Sequence, residues 1–417
     1  MCRKRVLILC DMFPPAFGPR MGYLCKYLKQ AGWEPTVITE YIPDETFAFL
    51  KGDTEVVYLR FHKAKHRAAR TLEWLTVFLA DLLFGYKNRR MYREALKQTR
   101  RQPYHLILCS AYRTFPLPAA RKIARKTKLP LVVDLRDIIE QSGGNEFIAH
   151  ALPKLGGMEK GIASIFKRIN LKQRNRVLRE AGHVTTVSPW HTEVLKAINP
   201  NVTLIYNGYD PELFYPAPVR SERFYITYTG RVFNTALRDP ELLFQAVARL
   251  SGERNITPDT FRIRWFTDAK SQQIIRSEAG KYTLQAYMDY SGYVPASRIP
   301  ALLNESAILL LLANKTGASG PKGIMTTKFF EALAVEKPIL CVRGDEGYLE
   351  DVINRTQSGL SAHNAEEVYR FIQAHYLQWK ASGLTKAAVN PDEIEAFSRK
   401  TQASRFIHIF EQLTNDR

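Results

Sequence analysis

Gly323-Ile-Met-Thr-Thr-Lys-Phe-Phe-Glu-Ala-Leu-Ala-Val-Glu-Lys-Pro-Ile-Leu340 reads as a loop, a short helix and the start of a strand. Lys337-Pro338 stops the helix, and Ile339-Leu340-Cys341-Val342 continues as a short apolar strand. Thr326, Thr327 and Lys328 stand at the helix start, with Glu331 one turn in. The N–H groups and partial positive charge of a helix N-terminus suit a phosphate. A carboxylate inside the first turns accepts hydrogen bonds from sugar hydroxyls. Together these groups fit a nucleotide diphosphate with its ribose. They fit equally an ordinary capped helix with a solvated Lys and Glu.

Outward from this stretch, strands and helices alternate along the chain. Arg5–Cys10 is an apolar strand, and the loop Asp11–Gly18 leads into a helix over Arg20–Ala31, stopped by Gly32. Further strands are expected at Pro35–Thr39, Glu55–Leu59, His105–Cys109, Leu131–Asp134, Val184–Val187 and Val202–Tyr206. The pattern restarts at Phe224–Thr229 and continues through a helix at Pro240–Leu250 and strands at Phe261–Phe266, Ser291–Val294, Ile308–Leu312 and Ile339–Val342. Short apolar runs without alternation, separated by helices, specify parallel sheets covered on both faces. The reading is α/β: two Rossmann-like, doubly wound domains in series with a cleft between them. It places an N-terminal domain at 1–210 and a C-terminal domain at 211–390. A last helix over Pro391–Leu413, within 391–417, packs back toward the first domain. Pro211, Pro216 and Pro218 mark the linker.

A length of 417 residues exceeds one ordinary core and agrees with two domains. The net charge of +19 predicts attraction to polyanions: an anionic membrane face, nucleic acid or phosphorylated substrates. No nucleic-acid-binding motif accompanies the charge, so nucleic acid is set aside. Cys2, Cys10, Cys25, Cys109 and Cys341 show no C-x-x-C spacing, which points to buried thiols in a reducing cytosol and away from a zinc site. The N-terminal apolar run is too short for a signal peptide, and no run approaches a membrane span.

Ligands of doubly wound sheets bind beyond the carboxyl ends of the strands. Thr229-Gly230-Arg231 lies at such an end, where glycine lets backbone approach a phosphate and arginine offers a forked donor. Arg238 precedes the next helix. Val132–Asp137 ends a strand with Asp134, Arg136 and Asp137. Asp134 reads as structural, and Arg136 and Asp137 as groups that hold an acceptor hydroxyl or stabilise charge. No G-x-G-x-x-G follows the first strand, which argues against a dinucleotide cofactor; Walker A, G-x-S-x-G and H-E-x-x-H motifs are also missing. Ser188-Pro-Trp-His191 has a Ser and a His but no third member of a triad. Arg67–Arg90 carries the apolar stretch Leu72–Phe84 between Lys65, His66, Arg67 and Arg70 before it and Lys87, Arg89 and Arg90 after it. It reads either as an interfacial helix on an anionic membrane or as a core helix. Lys167, Arg168, Lys172, Arg174, Arg176 and Arg179 form a second basic helix, lipid-binding or solvated.

With these residues in place the chain resembles the retaining GT-B glycosyltransferases of family 4, in particular those of bacterial surface polysaccharide assembly. Gly323–Leu340 is similar to the family's donor-site signature, Asp11–Gly18 to its N-terminal glycine loop, Ile205–Asp210 to its NG-x-D turn, and Tyr228–Arg231 to the start of its nucleotide domain. The resemblance implies a hexosyltransferase-type enzyme that needs no metal or cofactor. It would move a sugar from a UDP-, GDP- or similar nucleotide sugar, with retention, to a hydroxyl of a saccharide or lipid-linked acceptor. It implies that Gly230, Arg231, Arg238, Thr326, Thr327, Lys328 and Glu331 bind the donor and that Gly18 binds the acceptor. Arg136, Asp137, Arg231 and Lys328 would serve catalysis. Cytoplasmic placement is expected from the cysteines, and peripheral contact with the inner face of the membrane from the Arg67–Arg90 segment and the net charge of +19. Two departures stand out. Gly323 occupies the place of the first of two family glutamates, and Arg136-Asp137 that of a common His-Asp pair. A sugar-nucleotide epimerase of the same fold and a non-catalytic GT-B scaffold are the alternatives.

Overall fold

The computed structural model describes residues 4–63, 66–112, 114–141, 158–313, 325–342 and 347–415. It has two compact units, Met1–Tyr206 with Gln402–Arg417, and Asn207–Thr401. The first holds strands β1 (Lys4–Cys10), β2 (Trp33–Glu40), β3 (Glu55–Leu59), β4 (Leu106–Ala111), β5 (Leu131–Leu135), β6 (His183–Thr186) and β7 (Val202–Leu204). They form one sheet in the order β3-β2-β1-β4-β5-β6-β7, with every pairing parallel. Alternate residues of β1 enter opposite cores: Leu7 and Leu9 pack in one apolar cluster, Val6 and Ile8 in another. Both faces are therefore buried, which is why these strands are apolar without alternation.

The second unit contains β8 (Phe224–Thr229), β9 (Phe261–Phe266), β10 (Met288–Ser291), β11 (Ile308–Leu312), β12 (Ile339–Val342) and β13 (Gly359–Ala362). Their order is β10-β9-β8-β11-β12-β13, again parallel. The structure corrects one strand expected from sequence. Pairing with β9 uses Met288–Ser291, so the strand ends before Gly292 and the Tyr293 segment is a loop. Strand β13, Gly-Leu-Ser-Ala, was too short and too weakly apolar to be read from the sequence.

The expected single helix over Pro391–Leu413 is also corrected. It is two helices, Pro391–Glu395 and Arg399–Asn415, and the break between them does structural work. Phe397 O accepts from Tyr209 N at 3.2 Å, and Tyr209 O accepts from Arg399 N at 2.7 Å, so the break pairs with the turn at Asn207–Asp210. Residues 391–401 thus fall in the second unit. From Gln402 the helix joins the first, where Ala403, Phe406, Ile409 and Phe410 cover the β1 face shared with helix Pro19–Gln30. Cys10, Cys25, Cys109 and Cys341 are buried and form no disulfide, and Cys2 lies outside the described residues.

Asp134, at the end of β5, is fully buried and saturated with donors. Arg20 reaches it through Nη2 at 2.8 Å and Nε at 3.1 Å, Thr185 Oγ1 at 2.8 Å, and Ser110 Oγ at 2.9 Å. Burial works against its charge, but Arg20 and the two hydroxyls outweigh it and hold the carboxyl below its ordinary range. A carboxylate depressed in the fold contributes stability that is fully present above its unfolded pKa of about 3.9 and lost as pH falls through the lower folded value. Asp134→Asn should therefore cost about 3–5 kcal/mol in urea unfolding at neutral pH, since it leaves Arg20 buried without its counter-charge. The difference from the parent should shrink below about pH 4.

Candidate functional site

Two groups of polar residues gather at carboxyl ends of strands, one in each unit. In the second unit the chain leaves β8 through Gly230, whose φ of +146° strains any L side chain. A methyl group there would come within 2.9 Å of Lys328 Nζ and 3.2 Å of Tyr228 Oη. The Lys328 ammonium therefore lies directly over this turn. The carbonyl of Arg231 fixes the turn by accepting from Tyr228 Oη at 2.9 Å and Arg238 Nη1 at 2.7 Å. Arg231 itself is largely exposed, donates through Nε to Tyr293 Oη at 2.7 Å, and lies 3.9 Å from Asp268.

Lys328 and Glu331 reach the site from helix Thr327–Ala334. Phe329, Phe330, Ala332, Leu333 and Ala334 bury the rest of its surface, with Phe330 packed on Phe397. This leaves Lys328 and Glu331, three residues apart, on one remaining side. Thr326 starts the helix in extended conformation without a side-chain cap, so the first N–H groups are not taken by that side chain. Burial pulls the Lys328 pKa down, and the charges of Arg238 and Arg231 add to the effect, with Glu331 opposing. Burial likewise raises the Glu331 pKa against the pull of Arg399 and Lys328. Among the described residues Lys328 makes no hydrogen bond or ion pair. Lys328, Arg231 and Arg238 thus stand together at one glycine turn, with Glu331 and Asp268 as nearby carboxylates among the described residues.

In the first unit, Arg136 after β5 pairs with Asp11 after β1, tying two loops together. Asp11 also accepts from Met12 N at 3.0 Å and Tyr112 N at 3.3 Å. Asp137 accepts from Gln141 Nε2 at 2.6 Å, and Gln141 Oε1 accepts from His191 Nε2 at 2.9 Å. His191 is buried, which lowers its pKa to about 4 and keeps it uncharged near neutrality. Burial raises the Asp137 carboxyl, with Gln141 and Arg136 opposing. Gly18 precedes helix Pro19–Gln30, where a Cβ would lie 2.8 Å from Phe13 Cα and 2.9 Å from Met12 O. Only glycine lets that loop curl so closely.

The sequence-derived donor residues Gly230, Arg231, Arg238, Lys328 and Glu331 are thus brought together, with Thr326 and Thr327 at the adjoining helix start. Arg238 is partly occupied in bracing the turn. Gly18, Arg136 and Asp137 stand in the other unit, and Gly323 lies outside the described residues. Sequence reasoning missed Tyr228, Asp268, Tyr293 and Arg399 around the cations, and Asp11 and Gln141 beside Asp137. Tyr293 was hidden by its assignment to a strand. The second basic helix is also revised: Arg174 is 1% exposed and forks onto Glu140 with two 2.6 Å bonds, so it is neither solvated nor available to lipid.

The model of the family described as Glycosyltransferase Family 4 matches residues 20–213. Several solved structures share the whole fold. Sucrose-phosphate synthase (tll1590) from Thermosynechococcus elongatus is 14% identical over 100% of both chains, with a TM-score of 0.62. Anabaena Alr3699/HepE, solved in complex with UDP and glucose, is 14% identical over 98% of this chain and 100% of its own, also at 0.62. UDP-GlcNAc 2-epimerase from Methanocaldococcus jannaschii is a weaker match, 11% identical over 98% and 99% of the two chains at a TM-score of 0.53. No curated protein matches the sequence. The two parallel sheets define a two-domain α/β protein of the GT-B fold. Residues 20–213 are therefore similar to that family, and the whole chain has the fold of these solved structures.

The Lys328 pKa provides a test of the anion site. A lysine whose folded pKa lies below its unfolded one opposes folding while it is charged. Lys328→Gln should therefore unfold at or above the parent's temperature at pH 7. The same variant should lose most of the thermal stabilisation that pyrophosphate gives the parent, measured by melts with and without the anion.

Proposed function

We propose that the protein transfers a sugar from a nucleotide diphosphate sugar to a hydroxyl of a saccharide or lipid-linked saccharide acceptor, with retention of configuration and without a metal. The observation that carries this reading is the Lys328 ammonium placed over the Gly230 turn, beside Arg231 and Arg238 and one helical turn from Glu331. In this reading the cations and the N–H groups at Thr326–Thr327 take the diphosphate, and Glu331 accepts from the ribose hydroxyls. As the sugar–phosphate bond breaks, charge develops on the leaving diphosphate and the fixed cations stabilise it. Retention requires the acceptor hydroxyl to attack from the face the diphosphate leaves. Gly18 borders the acceptor, while Arg136 and Asp137 orient its hydroxyl. The UDP complex of HepE makes UDP-sugars the first donors to try.

Radiolabelled transfer from UDP- and GDP-sugars to lipid extract and to oligosaccharides tests the reaction. Transfer should persist in EDTA, and the product's anomeric proton should show the donor's configuration. Interconversion of the nucleotide sugar without transfer would identify the epimerase, and nucleotide binding with neither reaction the scaffold. Glu331→Gln should weaken UDP by about tenfold, the value of a hydrogen bond to a charged group, while leaving pyrophosphate binding unchanged.

Peripheral contact with an anionic membrane on its inner face belongs to the same reading. Helix Arg67–Phe84 leaves Leu72 67%, Leu83 68% and Phe84 59% exposed, while Val77 on its other side is buried. Among the described residues no helix is long and apolar enough to cross a membrane. Each such side chain contributes about 1.5–3 kcal/mol when withdrawn from water. Leu83→Glu with Phe84→Glu should abolish co-sedimentation with vesicles of phosphatidylserine and phosphatidylcholine, and the parent's binding should weaken as salt rises.

A further inference from the structure

Beside the Gly18 loop stands a group of aromatic rings that the donor site does not use. Phe17 is 55% exposed and Phe49 56% exposed, with the half-buried Phe47 between them. Phe17 meets Phe47 edge-on at 5.6 Å, and Phe47 lies 6.1 Å from Phe49. These contacts are fixed from beneath. Phe47 N donates to Pro15 O at 2.8 Å, and Tyr58 Oη donates to Pro14 O at 2.8 Å, binding the segment after β2 to the loop after β1. A Cβ on Gly22 would meet Pro14 Cγ at 2.8 Å and Leu50 Cβ at 3.2 Å, so helix, loop and segment are in mutual contact.

Both signs of charge stand beside these rings, with Lys51 over Tyr58 and Arg60 over Tyr41 on one side and carboxylates on the other. In a chain of net charge +19, Asp44 and Glu45 precede the aromatic residues and have no ion-pair partner among the described residues. Asp44 accepts from Thr46 N at 3.0 Å and from Thr46 Oγ1 at 2.5 Å, which fixes its carboxylate against Thr46, the residue before Phe47. A neutral pyranose has what the surface lacks. Its axial C–H groups carry partial positive charge suited to the negative face of an aromatic ring, and its hydroxyls donate to carboxylates.

We infer that Phe17 and Phe49 form a stacking subsite for a neutral sugar ring of the acceptor, with Asp44 and Glu45 accepting from its hydroxyls. The inference deepens the transferase reading and depends on it for the word acceptor. Phe17 adjoins Gly18, so a sugar stacked there lies at the carboxyl edge of β1. The subsite sets which acceptor binds and leaves bond making to other groups.

Saturation-transfer difference NMR tests binding without requiring turnover. The probes are the methyl glucoside, methyl galactoside and methyl N-acetylglucosaminide, with methyl glucuronide as the anionic control. At least one neutral probe should receive saturation from aromatic protons on one ring face, with the glucuronide weaker. The signal should vanish in Phe17→Ala/Phe49→Ala and return in Phe17→Tyr/Phe49→Tyr. In a transfer assay the alanine pair should raise the acceptor KM about tenfold with the donor KM unchanged. Thermal melts and UDP binding verify the fold, since both side chains are more than half exposed. Equal sugar signals in parent and alanine variant would overturn the subsite, as would loss of vesicle binding with the sugar signals intact. Absence of UDP binding in the parent would instead sink the transferase reading, and the NMR result would still decide whether the rings bind sugar.

Discussion

The first unit is organised around one buried ion pair. Arg20 stands in the first turn of the first helix, and Asp134 ends β5. The guanidinium forks onto the carboxylate and spends its remaining donors on the carbonyls of Ile205 at 2.9 Å and Tyr206 at 2.8 Å. Ser110 from β4 and Thr185 from β6 complete the carboxylate. One pair of charges therefore fixes the helix start, three strand ends and the last residues before the second unit. A buried pair of this kind is a weak source of net stability but a strict geometric constraint, because every unsatisfied alternative costs several kcal/mol. It fixes the helix start just after Gly18, and so the edge that carries Gly18 and the aromatic rings.

The second unit works by the opposite device. Asp134 has every lone pair engaged, whereas Lys328 is held near two arginines with Glu331 as its nearby carboxylate. A fold tolerates such crowding because five apolar residues of helix Thr327–Ala334 pay for it in burial. The glycine at 230 removes the side chain that would otherwise fill the space beneath the ammonium. On the proposed reading sterics and electrostatics both suit one ligand type, compact and multiply anionic.

Much of this was legible in sequence, and the losses have physical causes. Apolar runs without alternation identify parallel strands because burial on both faces leaves no polar side. That rule recovered β8, β9, β11 and β12 to the residue or nearly so. It failed at Gly359–Ala362, where small residues next to β12 form a strand that no hydrophobic pattern announces. It failed at Tyr293, whose β-prone neighbours mimic a strand although register with β9 ends at Ser291. It also merged two terminal helices, because the break at 396–398 is set by backbone pairing with Tyr209, a partner far away in sequence. The residues proposed to hold the donor could be singled out because they fall in two short segments at strand and helix ends. Their supports, Tyr228, Asp268 and Arg399, were not, because side chains that brace a site follow no local spacing.

The Arg136-Asp137 pair separates positioning from charge stabilisation. Arg136 has a counter-ion in Asp11, so much of its field is cancelled before any ligand arrives. Among the described residues Lys328 and Arg231 have no carboxylate as close. A cation already neutralised stabilises developing negative charge poorly, but it holds two loops in register well. Arg136 therefore fits the task of shaping the edge on which Asp137 sits. Asp137 is in turn oriented through Gln141 by a histidine that burial keeps uncharged. A positive charge on His191 would add field without adding geometry; the neutral ring supplies a fixed donor. On the proposed reading the first unit orients, and the cations of the Gly230 turn carry the charge stabilisation.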